Sequence, residues 1–213
     1  MIIDAKRLKE ILNSDLPGWA AQQLMSPAKD PRYRQLPDDY RKAAVMALLY
    51  PDAVGNYCVI LIERAKHNSN DKHAGQIGFP GGKYETDDGD MLTCALREVE
   101  EEIGIAAAEI DVLGPLSELF VFASNFLVQP FVGVLADVPS YTIQESEVHS
   151  VLDVPLSVLM DQHTQGVTDI IIRDQKITDV PYYDVNGKVL WGATAMMMSE
   201  LQQAIVTASY CPQ

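Results

Sequence analysis

Phe79-Pro80-Gly81-Gly82-Lys83-Tyr84-Glu85-Thr86-Asp87-Asp88-Gly89-Asp90-Met91-Leu92-Thr93-Cys94-Ala95-Leu96-Arg97-Glu98-Val99-Glu100-Glu101-Glu102-Ile103-Gly104-Ile105 reads as a glycine turn, an acidic connection and a carboxylate-laden helix in succession. Leu92, Ala95, Leu96, Val99 and Ile103 recur at steps of three and four, which predicts one buried stripe of an α-helix. Glu101 and Glu102 fall one turn beyond Glu98, so three carboxylates share an arc of roughly 100° beside that stripe. Like charges so spaced cost a helix roughly 0.2–0.5 kcal/mol per pair, and a helix shaped for stability alone would set Lys against Glu. A solvated acidic face is the competing reading of a bare E-x-x-E-E. The surroundings favour a cation site: Pro80-Gly81-Gly82 permits a tight backbone turn, Arg97 can hold a neighbouring carboxylate in a bidentate pair, and Gly104 can end the helix in the left-handed conformation. Oxygen donors without imidazole, and with Cys94 on the apolar side, suit a hard divalent ion, Mg²⁺ or Mn²⁺.

Outward from that stretch, 213 residues that are 47% hydrophobic with no break in composition predict one domain spanning 1–213. Residues 1–40 read as an N-terminal helix and arm packing on it. The net charge of −14 argues against nucleic acid as a partner, and a polyanionic small molecule would need a divalent ion to bridge it to the acidic helix. Cys58, Cys94 and Cys211 lack metal-ligand spacing and read as ordinary thiols. The start of the chain shows no charged region followed by an apolar run, and no apolar stretch approaches about 18 residues, so a cytoplasmic protein without a membrane partner is expected.

The remaining elements alternate irregularly. Asp4 can cap a helix carrying Leu8, Ile11 and Leu12 to about Asn13, where Leu16-Pro17-Gly18 breaks it. Ser26 to Tyr40 reads as a loop whose Arg32 and Arg34, with Arg41, either balance local acids or meet a phosphate. Ala43–Tyr50 and Tyr57–Arg64 predict a hairpin. Strands follow at Ile110–Leu113, Leu119–Phe122 and Phe126–Leu135, with Pro130 marking an edge or bulge. A helix starts near Pro155, two strands lie at Ile170–Arg173 and Val180–Asp184, and Asn186-Gly187 makes a hairpin turn before Lys188–Trp191. A helix from Thr194 to about Ala208 carries Ala195, Met198, Leu201 and Ile205 on one face, a core stripe. Strands with few helices and no regular alternation predict an α+β fold.

Competing chemistries lack their residues. There is no G-x-S-x-G, the four His residues (His67, His73, His149, His163) show no H-x3-H spacing for zinc, and no G-x4-G-K-[ST] is present.

Arg97 to Ile105, R-E-V-E-E-E-I-G-I, resembles the second half of the Nudix box, G-x5-E-x7-R-E-U-x-E-E-x-G-U with U aliphatic. In the first half this chain has one extra residue and offers Asp87 or Asp88 where the general pattern has Glu. The coenzyme A pyrophosphatase branch has that longer spacing and a lead-in H-A-G-Q-[VI]-x-F-P-G-G, which here runs from His73 to Gly82. Trp191-Gly192-Ala193-Thr194-Ala195 is similar to its closing W-G-x-T-A segment. Where that branch carries a second Arg after the one at Arg64, this chain has Asp71, leaving Arg64, Lys66 or Lys72 to meet a 3′-phosphate.

The resemblance implies a mixed β-sheet sandwiched between helices, with the box as loop-helix-loop. It implies a Mg²⁺- or Mn²⁺-dependent pyrophosphatase that cuts coenzyme A or an acyl derivative to 3′,5′-ADP and 4′-phosphopantetheine. ADP-ribose, NADH or a dinucleoside polyphosphate are alternative substrates, and a ligand sensor without cleavage is the alternative from another class. On the matched positions Glu98, Glu101 and Glu102 become metal ligands, Arg97, Glu98, Glu101 and Glu147 catalytic residues, and Arg64, His73, Gly81 and Gly82 substrate-binding residues. Glu147 is implied by the segment Glu147 to Leu156, with Glu145 the neighbour that could take its part; either is otherwise a solvated loop acid. A homodimer completes the expected partners. The chemistry would be attack of water on a phosphoanhydride, with the ions polarising phosphoryl oxygens and a nearby carboxylate as general base.

Overall fold

Strand β1 (Arg41–Pro51) is buried over most of its length and organises the sheet around it. It pairs antiparallel with β2 (Tyr57–Arg64) only over Leu49–Pro51. Beyond that the two strands diverge, and β3 (Ile77–Gly78), on β2, and β4 (Gly81–Lys83), on β1, fill the wedge. The glycine turn thereby enters the middle of the sheet, with the Met46 N–H donating to the Pro80 carbonyl at 2.9 Å. The described residues are 1–14, 16–27, 35–65, 74–172 and 175–209 of a computed structural model.

On the other side of β1, β7 (Phe126–Val134) runs parallel and carries β5 (Asp111–Pro115) and β6 (Leu119–Val121) antiparallel. β8 (Val148–Pro155) lies antiparallel on β2, completing an eight-stranded mixed sheet. A separate three-stranded antiparallel sheet is made of β9 (Gln165–Ile172), β10 (Gln175–Val185) and β11 (Lys188–Trp191).

The period of two along β1 and β2 divides the core. Ala44, Met46, Leu48, Tyr50, Cys58, Ile60 and Ile62 pack on Cys94, Ala95, Val99 and Ile103 of one helix, Met91–Ile103. On the opposite face Ala43, Ala47, Leu49, Val59 and Leu61 join Leu8 and Leu12 of α1 (Ala5–Leu12) and Ala195, Met198, Leu201 and Ile205 of the last helix, Gly192–Ser209. With Trp19–Gln22 as α2 and Leu156–Met160 as α4, these become α3 and α5 in chain order. The result is a helix, sheet, helix sandwich of the α+β class, as the irregular alternation predicts.

Most expected elements form. Asp4 caps α1 by accepting from the Arg7 N–H at 3.0 Å, and the Asn186-Gly187 turn has φ +54° and +81°, the left-handed pair a two-residue hairpin requires. Three readings need correction. Of the edge or bulge expected at Pro130, the edge is excluded, since β7 is a central strand: the Pro130 carbonyl accepts from Leu116 N–H, so its ring nitrogen also faces the interruption between β5 and β6, where no ladder bond is missed. β8 was not expected, because Val148-His149-Ser150-Val151-Leu152-Asp153 carries too irregular an apolar pattern to announce a strand. α5 is buried on more than one face, including Met196, Met197, Ser199, Glu200 and Gln202, since α1, α2 and β10 all pack on it. The loop reading for Ser26–Tyr40 falls partly on residues 28–34, outside the described residues; Arg41 spends its guanidinium on the Phe126 ring, 4.1 Å from the centroid, and on the Ser124 carbonyl at 2.7 Å.

Glu200 of α5 is fully buried and accepts from Gly18 N–H at 3.1 Å, the Gln22 amide at 2.9 Å and Ser117 N–H at 3.3 Å. It joins α2 and the link between β5 and β6 to the last helix. Glu200→Ala strands these donors, and a loss of about 2 kcal/mol is expected, within the range for buried groups left unsatisfied. Urea unfolding checks this, with Glu200→Gln, which keeps one accepting oxygen, losing less.

Candidate functional site

α3 is bounded as its sequence dictates. Asp90 accepts from Thr93 N–H at 2.8 Å, and Gly104 closes the helix at φ +76°, ψ +19°. Its buried side includes Cys94, Ala95, Val99 and Ile103, and also Glu98 and Glu102. Glu102 is 1% exposed. The carboxylates of Glu98 and Glu102 meet that of Glu147, from the turn before β8, so that one oxygen of each lies within 4.8 Å of the others. Glu145 is not in this group; of the two loop acids, Glu147 is the one whose carboxylate reaches Glu98 and Glu102.

Glycine is required where β4 meets the helix. A Cβ on Gly82 would stand 2.4–2.5 Å from the Glu98 carboxylate, and one on Gly81, at φ +149°, would meet the Ala44 carbonyl at 2.4 Å. Gly81 contributes its backbone instead, donating to Glu102 Oε2 at 2.8 Å. Arg64 donates to Glu102 Oε1 at 3.3 Å, so its guanidinium lies against an acid of the cluster.

Arg97 ties the connection to the helix. It grips Asp88 in a bidentate pair at 2.6 and 3.1 Å and gives Nη1 to Glu98 and Glu101, both at 2.9 Å. Asp88, buried, is therefore the acid of the connection that turns inward, while Asp87 is exposed. Glu101 is exposed and stays on Arg97 outside the group of three. The helix wheel gives the reason: Glu102 falls within the buried arc next to Ala95, whereas Glu101 lies about 100° away, beyond Glu98. His73 and Asp71 lie outside the described residues.

Burial and mutual repulsion disfavour the charged forms of the clustered acids. Burial pushes the Glu102 carboxyl up to about 8, against the opposing pull of Gly81 N–H and Arg64, with Glu98 and Glu147 adding to the rise. Burial likewise raises Glu98, offset by Arg97 and reinforced by Glu101 and Glu147. The hydrogen bond from Arg97 holds Asp88 down at about 2. Three carboxylates from two elements, without His or Cys, fit a hard divalent cation, and the exposure of Glu147 leaves the group accessible.

Residues 40–163 match the family model for the NUDIX domain. Two curated relatives are each called uncharacterized Nudix hydrolase NudL. That of Photorhabdus laumondii subsp. laumondii is 33% identical over 175 residues, 82% of this chain and 90% of that protein. That of Yersinia pestis (strain Pestoides F) is 34% identical over 156 residues, 69% of this chain and 72% of that protein. Among solved structures, RenU, a Nudix hydrolase from M. smegmatis, superposes with a TM-score of 0.53 over 82% of this chain and 89% of that one at 15% identity, a likeness of fold.

Two outcomes follow from the charges. A cation binds the ionised form of Glu102, so Mn²⁺ affinity should rise by roughly tenfold per pH unit below about pH 8 and level off above it, with about one proton released per ion near pH 7. Calorimetry in buffers of different ionisation enthalpy measures both, and a pH-independent affinity would contradict the burial of Glu102. Asp88 has a folded pKa below its ordinary 3.8, so the stability it contributes is present above that value and is lost as pH falls toward about 2. The melting-temperature gap between the wild type and Asp88→Asn should therefore hold at neutral pH and close across that window.

Proposed function

The chain belongs to the Nudix hydrolase family, and we propose that it is a cytoplasmic, Mg²⁺- or Mn²⁺-dependent pyrophosphatase with coenzyme A or an acyl-coenzyme A as substrate. The observation that carries the chemistry is the convergence of the Glu98, Glu102 and Glu147 carboxylates beside the Gly81-Gly82 turn. A sensor domain has no use for buried acids that repel one another. The substrate half rests on the lead-in His73 to Gly82 and the closing segment Trp191 to Ala195.

Glu98, Glu102 and Glu147 would hold the divalent ion, with Glu101 as a further carboxylate one turn away on Arg97. When bound, the ion supplies charge neutralisation for the phosphoanhydride and acidifies the attacking water. The chain's own groups do the rest. Gly81 N–H and Arg64 fix both oxygens of Glu102. Arg97, anchored on Asp88, orients Glu98 and Glu101. Glu147, exposed at the edge of the group, would act as general base toward water through the oxygen it does not give to the ion. The absent side chain at Gly82 leaves room against Glu98 that any other residue would occupy.

Product release with Mg²⁺ or Mn²⁺ should be measured over coenzyme A, dephospho-coenzyme A, ADP-ribose, NADH and a nucleoside triphosphate. Cleavage confined to the coenzyme A compounds is expected, yielding 3′,5′-ADP and 4′-phosphopantetheine from coenzyme A itself. Glu147→Gln should lower the rate by roughly 100-fold or more while leaving the fold intact, within the range for a lost general base. Cleavage of ADP-ribose or NADH instead would keep the hydrolysis and move the substrate, and full activity of Glu147→Gln would remove that residue from the mechanism.

A further inference from the structure

Glu147 is the one member of the carboxylate group that α3 does not carry, and it sits on a connection, residues 135–147, without helix or strand. An exposed loop acid has no inherent reason to face two buried ones. Its backbone supplies the reason. Thr142 N–H donates to the Ile103 carbonyl and Gln144 N–H to the Glu102 carbonyl, both at 3.0 Å. These are last-turn acceptors of α3, which a helix leaves without an internal partner. The connection is thus fastened to the C-terminal end of the helix that presents Glu98 and Glu102, at the backbone of Glu102 itself. From Gln144 the chain turns, its carbonyl taking Glu147 N–H and Val148 N–H at 2.9 Å, while the Glu147 carbonyl accepts from Ala65 N–H at 2.8 Å, next to Arg64.

Contact is close enough to dictate residue type. A Cβ on Gly104 would lie 2.7 Å from Thr142 Cβ and 3.0 Å from its carbonyl oxygen. One residue earlier, the Tyr141 hydroxyl donates to Asp153 Oδ1 on β8. Tyr50, at the end of β1, lies beside Asp153 as well, and its phenol, like that of Tyr141, is raised well above its ordinary value by burial first and by Asp153 second. None of Tyr141, Asp153 and Tyr50 belongs to the carboxylate group.

We propose that Tyr141 to Glu147 is a strap that sets the third carboxylate of the cation site, and that Tyr141 and Asp153 are its positioning residues, clasping the strap to β8 while Thr142 and Gln144 fasten it to α3. The proposal rests on the reading of Glu98, Glu102 and Glu147 as a divalent-ion site. It assigns a part to residues outside the box and outside the lead-in. If the strap acts only through Glu147, its loss must be invisible once Glu147 no longer binds.

The test is a double-mutant cycle read by Mn²⁺ calorimetry and not by turnover. Tyr141→Phe removes a single hydroxyl and should weaken Mn²⁺ binding roughly tenfold, the low end of what outer-shell partners of metal ligands cost. In a Glu147→Gln background the same change should have almost no effect. Asp153→Asn, which keeps an accepting oxygen, should bind Mn²⁺ nearly as the wild type does, and Asp153→Ala should match Tyr141→Phe. Wild-type affinity in Tyr141→Phe, or an equal loss in both backgrounds, overturns the strap and leaves the cation site standing. A wild-type protein that takes up no Mn²⁺ overturns both.

Discussion

Two buried carboxylates one helical turn apart, pressed against a backbone that has no room for a side chain, are the constraint around which this chain is arranged. Glu98 and Glu102 lie on the side of α3 that faces the sheet, where burial disfavours their ionised forms. Their placement would be a defect in a helix kept for stability alone. The wedge between β1 and β2, the crossing from β3 to β4 and the two glycines all bring main chain, in place of side chains, to these acids. The parallel β1 and β7 pair supports that arrangement from behind, and α1 and α5 close the opposite face of the sheet.

Charge is distributed so that few partners are shared among the acids of the site. Arg97 takes Asp88, Glu98 and Glu101, Arg64 and Gly81 take Glu102, and Glu147 approaches from the loop. Two guanidinium groups do not neutralise that number of carboxylates. A divalent cation held by oxygen donors alone offsets most of the remaining negative charge, and the same residues are the candidate centre of the hydrolase.

Much of this was legible in the sequence. The steps of three and four from Leu92 to Ile103 define α3, and Asp90, Gly104 and the Asn186-Gly187 turn act locally, so their roles need no tertiary information. The split between Glu101 and Glu102 could also be read from the wheel, since Glu102 falls among the buried positions; a common arc for all three acids was too coarse. What short-range patterns do not contain is the sheet order. Pro130 looks like an edge or bulge residue until β5 and β6 are seen to leave a gap beside it, and β8 emerges from its pairing with β2 rather than from its own alternation. The fastening of residues 142 and 144 to the carbonyls of α3 is backbone chemistry, which side-chain identity does not announce.

The most direct measurement is the melting temperature of the wild type and of Glu98→Gln, each with and without Mn²⁺. Removing one of the two buried acids should leave the metal-free protein at least as stable as the wild type. Mn²⁺ at about 100 times its dissociation constant should raise the wild-type midpoint by roughly 5–10 °C, with little effect on the variant. A wild-type midpoint indifferent to Mn²⁺, or a metal-free Glu98→Gln that melts well below the wild type, would mean that these carboxylates hold the fold together and do not await a cation.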